Sequence, residues 1–262
     1  MKKYNYGACW ESNAEAWTRL TRAGHDRYRD ALHTPAFLRM LPDVAGKRGL
    51  DAGCGEGAGT RRLAKMGALM VGVDIAPTMI RHAREEERRY PLGIGYHVAD
   101  AAALPFPDTA FDFVSAFMSL MDVDGLPGVV REIHRVLMPG GFLQFSILHP
   151  CFSPPKRKVH RNEDGTIRSV ELAGYFDKAE HMETWTFSSL SEEERKKVRP
   201  FDTPYRHFPL SDWINMLIGA GLAIERMEEP KATEEEAAKE PVIADTLEFP
   251  LAMILRVRKA RG

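Results

Sequence analysis

The sequence predicts an α/β protein, a largely parallel sheet with helices on both faces. Three observations carry that expectation. From Gly49 onward short apolar runs alternate with helix-period segments, a glycine-rich turn follows the first such run, and the clearest helix pattern ends at Pro-Gly-Gly before another apolar run. Strands that alternate with helices pair in parallel, since the helix supplies the crossover that a parallel pair needs.

The elements read in order as follows. The first 46 residues are helical in pattern. Ser12 and Glu15 have the Ser-x-x-Glu spacing of a capping box, and Thr34-Pro35 reads as a second start, with Phe37, Leu38 and Leu41 as its buried face. Trp10 and Trp17 read as core residues or as part of a lid. Strand-like runs follow at 48–53, 68–74, 94–100, 111–117 and 141–149. Between the last two lies PGVVREIHRVLM, with Val129, Val130, Ile133, Val136 and Leu137 on one face and a stop at Pro139-Gly140-Gly141.

Residues 151–205 break the rhythm. They are rich in charge and aromatics, with KRK at 156–158 and EEERKK at 192–197, and predict an insertion with a function of its own. Ser211 is then expected to cap a helix through Trp213, Ile214 and Leu217 that ends at Gly221, followed by a strand near 222–228. The acidic run TEEEAAKE reads as a solvated loop or helix face, and a last strand falls at 251–257. The expected units are thus 1–46, 47–150, 151–205 and 206–262.

Composition narrows the function. The 262 residues are 44% apolar and 28% charged, ordinary for a water-exposed globular chain. With 36 Lys+Arg against 37 Asp+Glu there is no basic field to draw the chain to nucleic acid, and the small KRK and RKK clusters read as solvated faces. Three scattered cysteines make neither a disulfide framework nor a zinc motif, so no metal is expected. The start has no apolar core segment, and no run approaches the roughly 18 apolar residues of a membrane span, so a cytoplasmic setting without membrane contact is expected.

The stretch DAGCGEGAG, residues 51–59, holds four glycines and two acids. Glycine turns of this kind receive nucleotides. Gly53, Gly55 and Ala58, with Asp74 further on, can be set on the dinucleotide fingerprint, which keeps an NAD-dependent oxidoreductase as one reading. Asp51 opposes it, because a carboxylate at the end of the first strand would repel a pyrophosphate and suit a cationic ligand instead.

LDAGCGEGAG, Asp74, the AD of 99–100 with LPFPDTAFDFV, and VLMPGG, in that order and spacing, resemble the class I S-adenosylmethionine-dependent methyltransferases, and within them the small-molecule group of ubiquinone and menaquinone methyltransferases. The resemblance covers about residues 45–150 motif by motif and 208–229 loosely. It implies a Rossmann-like sheet of seven strands with helices on both faces and the last strand antiparallel, an N-terminal helical lid over 1–46, and an insertion after the fifth strand that caps the substrate. It implies S-adenosyl-L-methionine as cofactor, S-adenosyl-L-homocysteine as product, and methyl transfer to O, N or C of a small apolar or aromatic acceptor, by a monomer or homodimer.

The implied residue roles follow position by position. Asp51 holds the methionine ammonium, while Gly53, Cys54 and Gly55 let the backbone approach the methionine part, and Asp74 accepts both ribose hydroxyls. Ile75 and Met79 pack the adenine, Asp100 and the Ala101 amide meet its edge, and Phe117 borders the methionine moiety. Trp17 closes one side, and Arg22 pairs the methionine carboxylate. Met79 and Phe117 also read simply as core, and Cys54 as a small space-filler. His149, at the end of the fifth strand, and His207, where the chain leaves the insertion, are the candidate general bases. Met121-Asp122 stands where those relatives often carry a His-His pair, which puts a base from that place in doubt and leaves Asp122 as its substitute. Tyr6 and Trp10 on one side, and Phe152, Tyr175, Phe176, Trp185, Phe187 and Tyr205 on the other, wall the acceptor or form small cores of their own. A non-catalytic cofactor-binding protein is the remaining alternative.

Overall fold

The computed structural model describes residues 4–163 and 165–261. Its centre is a seven-stranded sheet built from β1 (Arg48–Ala52), β2 (Leu69–Asp74), β3 (Gly95–Val98), β4 (Phe111–Phe117), β5 (Leu137–Leu148), β10 (Leu222–Glu228) and β11 (Ala252–Lys259), in the order β10-β11-β5-β4-β1-β2-β3. β1 pairs in parallel with β2 and β4, β2 with β3, and β4 with β5, whereas β11 runs antiparallel to both β5 and β10. The strand order reverses between β1 and β4, and ligands of open α/β sheets settle at such a switch, beyond the carboxyl ends of the strands.

The interior strands are buried on both faces, so residues 49–52 of β1 and 113–116 of β4 show no alternation of buried and exposed positions. On one face, α5 (Leu126–Val136) lays Val129, Val130, Ile133 and Val136 against Leu50, Val114 and Phe145, joined by Trp213 and Leu217 of α7 (Leu210–Gly219). On the other, Leu63 of α3 (Ala58–Lys65) and Ile80 and Ala83 of α4 (Pro77–Arg89) pack on Met70, Phe113 and Phe142.

Local starts and stops depart from the sequence expectation in five places. Helix α1 (Tyr6–Arg22) begins a turn and a half before Ser12, capped by Asn5, whose side chain accepts the Ala8 amide at 3.0 Å. Ser12 instead donates to the Cys9 carbonyl at 2.8 Å, and Glu15 turns outward to His82 at 2.9 Å, so this pair forms no capping box. A π-helical turn (Arg29–His33) leads straight into α2 (Thr34–Met40), which makes Thr34-Pro35 a junction within a helical run. α5 ends at Val136, and Pro139-Gly140-Gly141 lies inside a β5 that starts at Leu137 with a register shift against β4. Ser211 lies inside α7, which has no side-chain cap and ends at Gly219.

The described residues of 151–205 form two hairpins and a short helix. β6 (Lys156–Arg161) pairs with β7 (Ile167–Ala173), and β8 (Glu180–Trp185) pairs with β9 (Phe201–Arg206), with α6 (Glu192–Lys197) in between. β9 runs one residue past the expected boundary at 205. The acidic run is a helix, α8 (Glu234–Lys239), with a full capping box between Thr233 and Glu236.

α1 and the insertion meet above the sheet. Trp17 stands 5.3–5.7 Å, centroid to centroid, from Trp185, Phe187 and Phe201, and Asn13 donates to the Asp202 carbonyl at 3.0 Å. Edge-to-face packing of this kind adds roughly 0.5–1.5 kcal/mol per pair beyond the apolar area buried.

Candidate active site

Where β1 ends, the chain turns through Gly53 and Gly55, with φ of 74° and 54°. A Cβ on Gly53 would lie 2.5 Å from that of Ser119, so space as well as backbone angle excludes a side chain there. At Gly55 a Cβ would meet no protein atom within 4 Å, and the left-handed backbone favours glycine there. Asp74, the last residue of β2, closes the turn by accepting the Gly55 amide through Oδ2 and the Ala76 amide through Oδ1, each at 2.9 Å.

Asp51 is buried at the end of β1 and accepts the Thr60 hydroxyl at 2.6 Å. Burial pushes its carboxyl up to about 6, against the pull of the Thr60 and Ser115 hydroxyls, and the Asp74 carboxylate adds to the rise. Asp74 is raised as well, chiefly by burial, with the Ala76 and Gly55 amides opposing. Cys54 lies between them, its thiol held well above the usual range by burial and by both carboxylates. Such a sulfur is inert and fills space.

These residues open onto one cavity of about 840 Å³. Asp51, Gly53, Cys54, Gly55, Asp74, Ile75, Met79, Asp100, Ala101, Phe117 and Trp17 all line it. Ile75 is 39% exposed, facing the cavity, while Met79 is buried, with the Thr18 hydroxyl 3.7 Å from its sulfur. Asp100 is exposed and accepts the Ala102 amide at 2.8 Å. Phe117 meets Phe37 edge-on at 5.1 Å.

Three expected site residues lie elsewhere. Arg22 is drawn to Glu56, a buried acid of the glycine turn, at 3.0 Å, and also donates to the His82 carbonyl, so it is off the cavity wall. A buried carboxylate needs a counter-charge, and Arg22 and Arg61 supply it.

His149 is also off the wall. Its Nε2 meets Glu229 Oε1 at 2.7 Å and its Nδ1 accepts the Cys151 amide at 3.2 Å. With Nδ1 an acceptor, the proton sits on Nε2 facing the carboxylate, and no lone pair is left to act as a base. His207 is 1% exposed behind the wall, its Nδ1 against the Tyr205 hydroxyl at 3.0 Å and its ring 5.6 Å from that of Tyr175. Burial lowers both imidazoles.

What the cavity presents at the switch point is Asp122. It lies just past β4 in the helical turn Leu120–Asp122, and its amide donates to the Ser119 carbonyl at 3.0 Å. Its carboxyl is pushed up to about 8 by burial and by the nearby Glu183 carboxylate. Glu183 lines the same cavity from β8. Among the described residues neither carboxylate makes a side-chain hydrogen bond. Glu183 escapes sequence reading because nothing local marks it; the β8–β9 pairing sets it opposite Thr203 and over the sheet. Of the expected wall aromatics, Tyr6, Trp10, Trp185, Phe187 and Tyr205 line the cavity. Phe152 packs on His149 and Phe249, Tyr175 on His207, and Phe176 is 78% exposed, so these three wall nothing.

Comparison with known proteins agrees with this geometry. Residues 50–145 match the family model described as a methyltransferase domain. A demethylmenaquinone methyltransferase of Tropheryma whipplei (strain Twist) is 38% identical over 132 residues, 50% of this chain and 52% of that protein. A 27-O-demethylrifamycin SV methyltransferase of Amycolatopsis mediterranei (strain S699) is 38% identical over 113 residues, 42% of each chain. The chain thus spans about half the length, or less, of these curated relatives. Among solved structures, an S-adenosylmethionine-dependent methyltransferase from Mesorhizobium loti superposes with a TM-score of 0.70 at 27% identity, over 86% of this chain and 96% of that one. Residues 50–145 are therefore a methyltransferase domain, set in the Rossmann-like fold of the class I S-adenosylmethionine-dependent methyltransferases.

Proposed function

We propose that the protein transfers the methyl group of S-adenosylmethionine to O, N or C of a small, largely apolar or aromatic acceptor. The observation that carries this reading is the pair of buried acids, Asp51 and Asp74, on one cavity wall, both with carboxyls raised by burial. Such a wall repels a pyrophosphate and suits a ligand that brings an ammonium and two hydroxyls.

In this reading Asp51 holds the ammonium. Asp74 accepts the Gly55 amide on Oδ2 and the Ala76 amide on Oδ1, and its remaining lone pairs take the ribose hydroxyls. Gly53, Cys54, Gly55 and Phe117 border the methionine part. Ile75 and Met79 flank the adenine, and Asp100 and Ala101 meet its edge. Bound S-adenosylmethionine supplies a methyl group already activated for displacement. The chain's task is then to align the acceptor, exclude water and hold the acceptor's proton. Asp122 is the group for that proton, with a carboxyl near 8 at the switch point.

Residues 1–46 act as a lid and 151–205 as a cap, joined at Trp17 and walling the acceptor with Tyr6, Trp10, Trp185, Phe187 and Tyr205. The names of two relatives place their acceptors among small molecules, a demethylmenaquinone and a demethylrifamycin. That class fits an aromatic-walled lobe. Three cysteines that stay free suit a reducing cytoplasm.

Titration with S-adenosylmethionine, S-adenosylhomocysteine and NAD, followed by isotope-labelled methyl transfer to a panel of small aromatic acceptors, tests the reading. Binding of the first two and labelled product are expected. Tight NAD binding with no S-adenosylmethionine binding sinks it.

A further inference from the structure

The cavity carries a second charged position, far from the glycine turn, on strand β6. Strand alternation puts Arg157, Val159 and Arg161 on the cavity wall and leaves Lys156 and Lys158 exposed. Among the described residues four arginines line the cavity, and three of them are matched by acids. Arg161 meets both oxygens of Asp245, at 2.9 and 2.6 Å. Arg29 lies 3.1 Å from Asp30 and 3.7 Å from Asp26, and Arg62 lies 3.7 Å from Asp30.

Arg157 differs. Among the described residues no carboxylate is within ion-pair distance of it, and its Nε is buried without a hydrogen-bond partner. Its guanidinium carbon stands 5.1 Å from the ring centroid of Phe249. Burial pulls its pKa down, with Asp245 partly opposing, yet a guanidinium remains charged in any ordinary medium. The polar groups that act on it are Asp245, already paired with Arg161, then Tyr28 and Arg161 itself. A planar fork of N–H donors, held against an aromatic ring with its buried Nε unbonded, is built to take an oxyanion in two parallel hydrogen bonds.

We propose that Arg157 anchors a carboxylate carried by the methyl acceptor, so that the acceptor is an aromatic or apolar acid. This rests on the methyltransferase reading above. The cofactor also bears a carboxylate, and place in the fold separates the two sources. Phe249, against which Arg157 lies, stands just before β11, three strands from β1 in the sheet, roughly 14 Å from the glycine turn. Arg62, on the helix that leaves that turn, and Arg29, which shares Asp30 with it, are nearer the methionine end.

The test is calorimetric titration of the protein saturated with S-adenosylhomocysteine, using phenylacetate and phenylacetamide as matched probes. Phenylacetate is expected to bind at least tenfold more tightly than the amide. Arg157→Gln should abolish that preference and leave the affinity for S-adenosylhomocysteine unchanged. Arg157→Lys, which keeps the charge without the fork, should retain a reduced preference and guards against a folding defect in the glutamine variant. Equal affinity for the two probes, no binding of either, or a preference unchanged in both variants overturns the proposal. So does a glutamine variant that loses S-adenosylhomocysteine affinity tenfold but keeps the probe preference, since the fork would then serve the cofactor. Failure of the wild-type protein to bind S-adenosylhomocysteine, read before any probe is added, overturns the methyltransferase reading itself and this proposal with it.

Discussion

Asp74 accepts the Gly55 amide at 2.9 Å, so the carboxylate that ends β2 fixes the shape of the turn that ends β1. One side chain therefore builds the loop and faces the cavity. Replacing it removes two backbone hydrogen bonds and a buried acceptor at once. Asp74→Ala should weaken S-adenosylhomocysteine binding by roughly 10–100-fold, as loss of charge-assisted hydrogen bonds does. Calorimetry checks it; unchanged affinity would remove the ribose assignment.

Asp51 supplies a pH dependence. Folding keeps its proton on up to about pH 6, whereas the ordinary value is 3.8. The folded state thus binds the proton more tightly than the unfolded chain. The stability this adds is present in acid and lost as pH rises through the interval from about 4 to 6. An ammonium ligand favours the ionised carboxylate, so affinity for S-adenosylhomocysteine should rise roughly tenfold across the same interval. A flat affinity profile from pH 4.5 to 7 would contradict it.

Asp122 should govern turnover without governing cofactor affinity. Asp122→Asn is expected to lower kcat by about 100-fold, the usual scale for one general acid–base group, with S-adenosylhomocysteine binding unchanged. In the wild type kcat/KM should rise with pH through about 8, where the carboxyl loses its proton. That inflection should vanish in the variant.

We propose that His149 and His207, by contrast, serve the fold and not the reaction. Replacing His149 with Ala leaves the Cys151 amide and Glu229 without their partner and should lower Tm by a few degrees, from a loss of about 1 kcal/mol. Cofactor affinity and kcat/KM should hold. A collapse of turnover with an intact fold would restore His149 as the base.

Gly53→Ala should destabilise the fold by about 1–3 kcal/mol, because its φ of 74° disfavours a side chain and Ser119 occupies the space a Cβ would need. Thermal unfolding measures this directly, and a Tm within a degree of wild type would show that the turn relaxes freely.

The sheet and the glycine-turn wall of the cavity were legible because their signals are local. β1, β2, β4 and α5 follow from apolar periodicity, and Asp51, Gly53 and Asp74 sit at strand ends that can be counted along the chain. Arg22 lies on the helix that faces the cavity, and only packing shows that Glu56 takes its charge. The insertion was unreadable for a different reason. β6 and β7 form a two-stranded ribbon exposed on one side, so charged and apolar residues alternate with little apolar contrast.

The sequence by itself determined the α/β architecture, the glycine turn and the acids around it, because residues joined by one strand and one turn meet whatever the rest of the chain does. Only the tertiary structure decided what else lines the cavity. Asp122 can be named from its place after β4, but Glu183 and Arg157 come from the insertion, brought to the same cavity by hairpins folding over the sheet. Which charges remain unmatched there depends on which partners packing has already supplied, and no spacing along the chain records that.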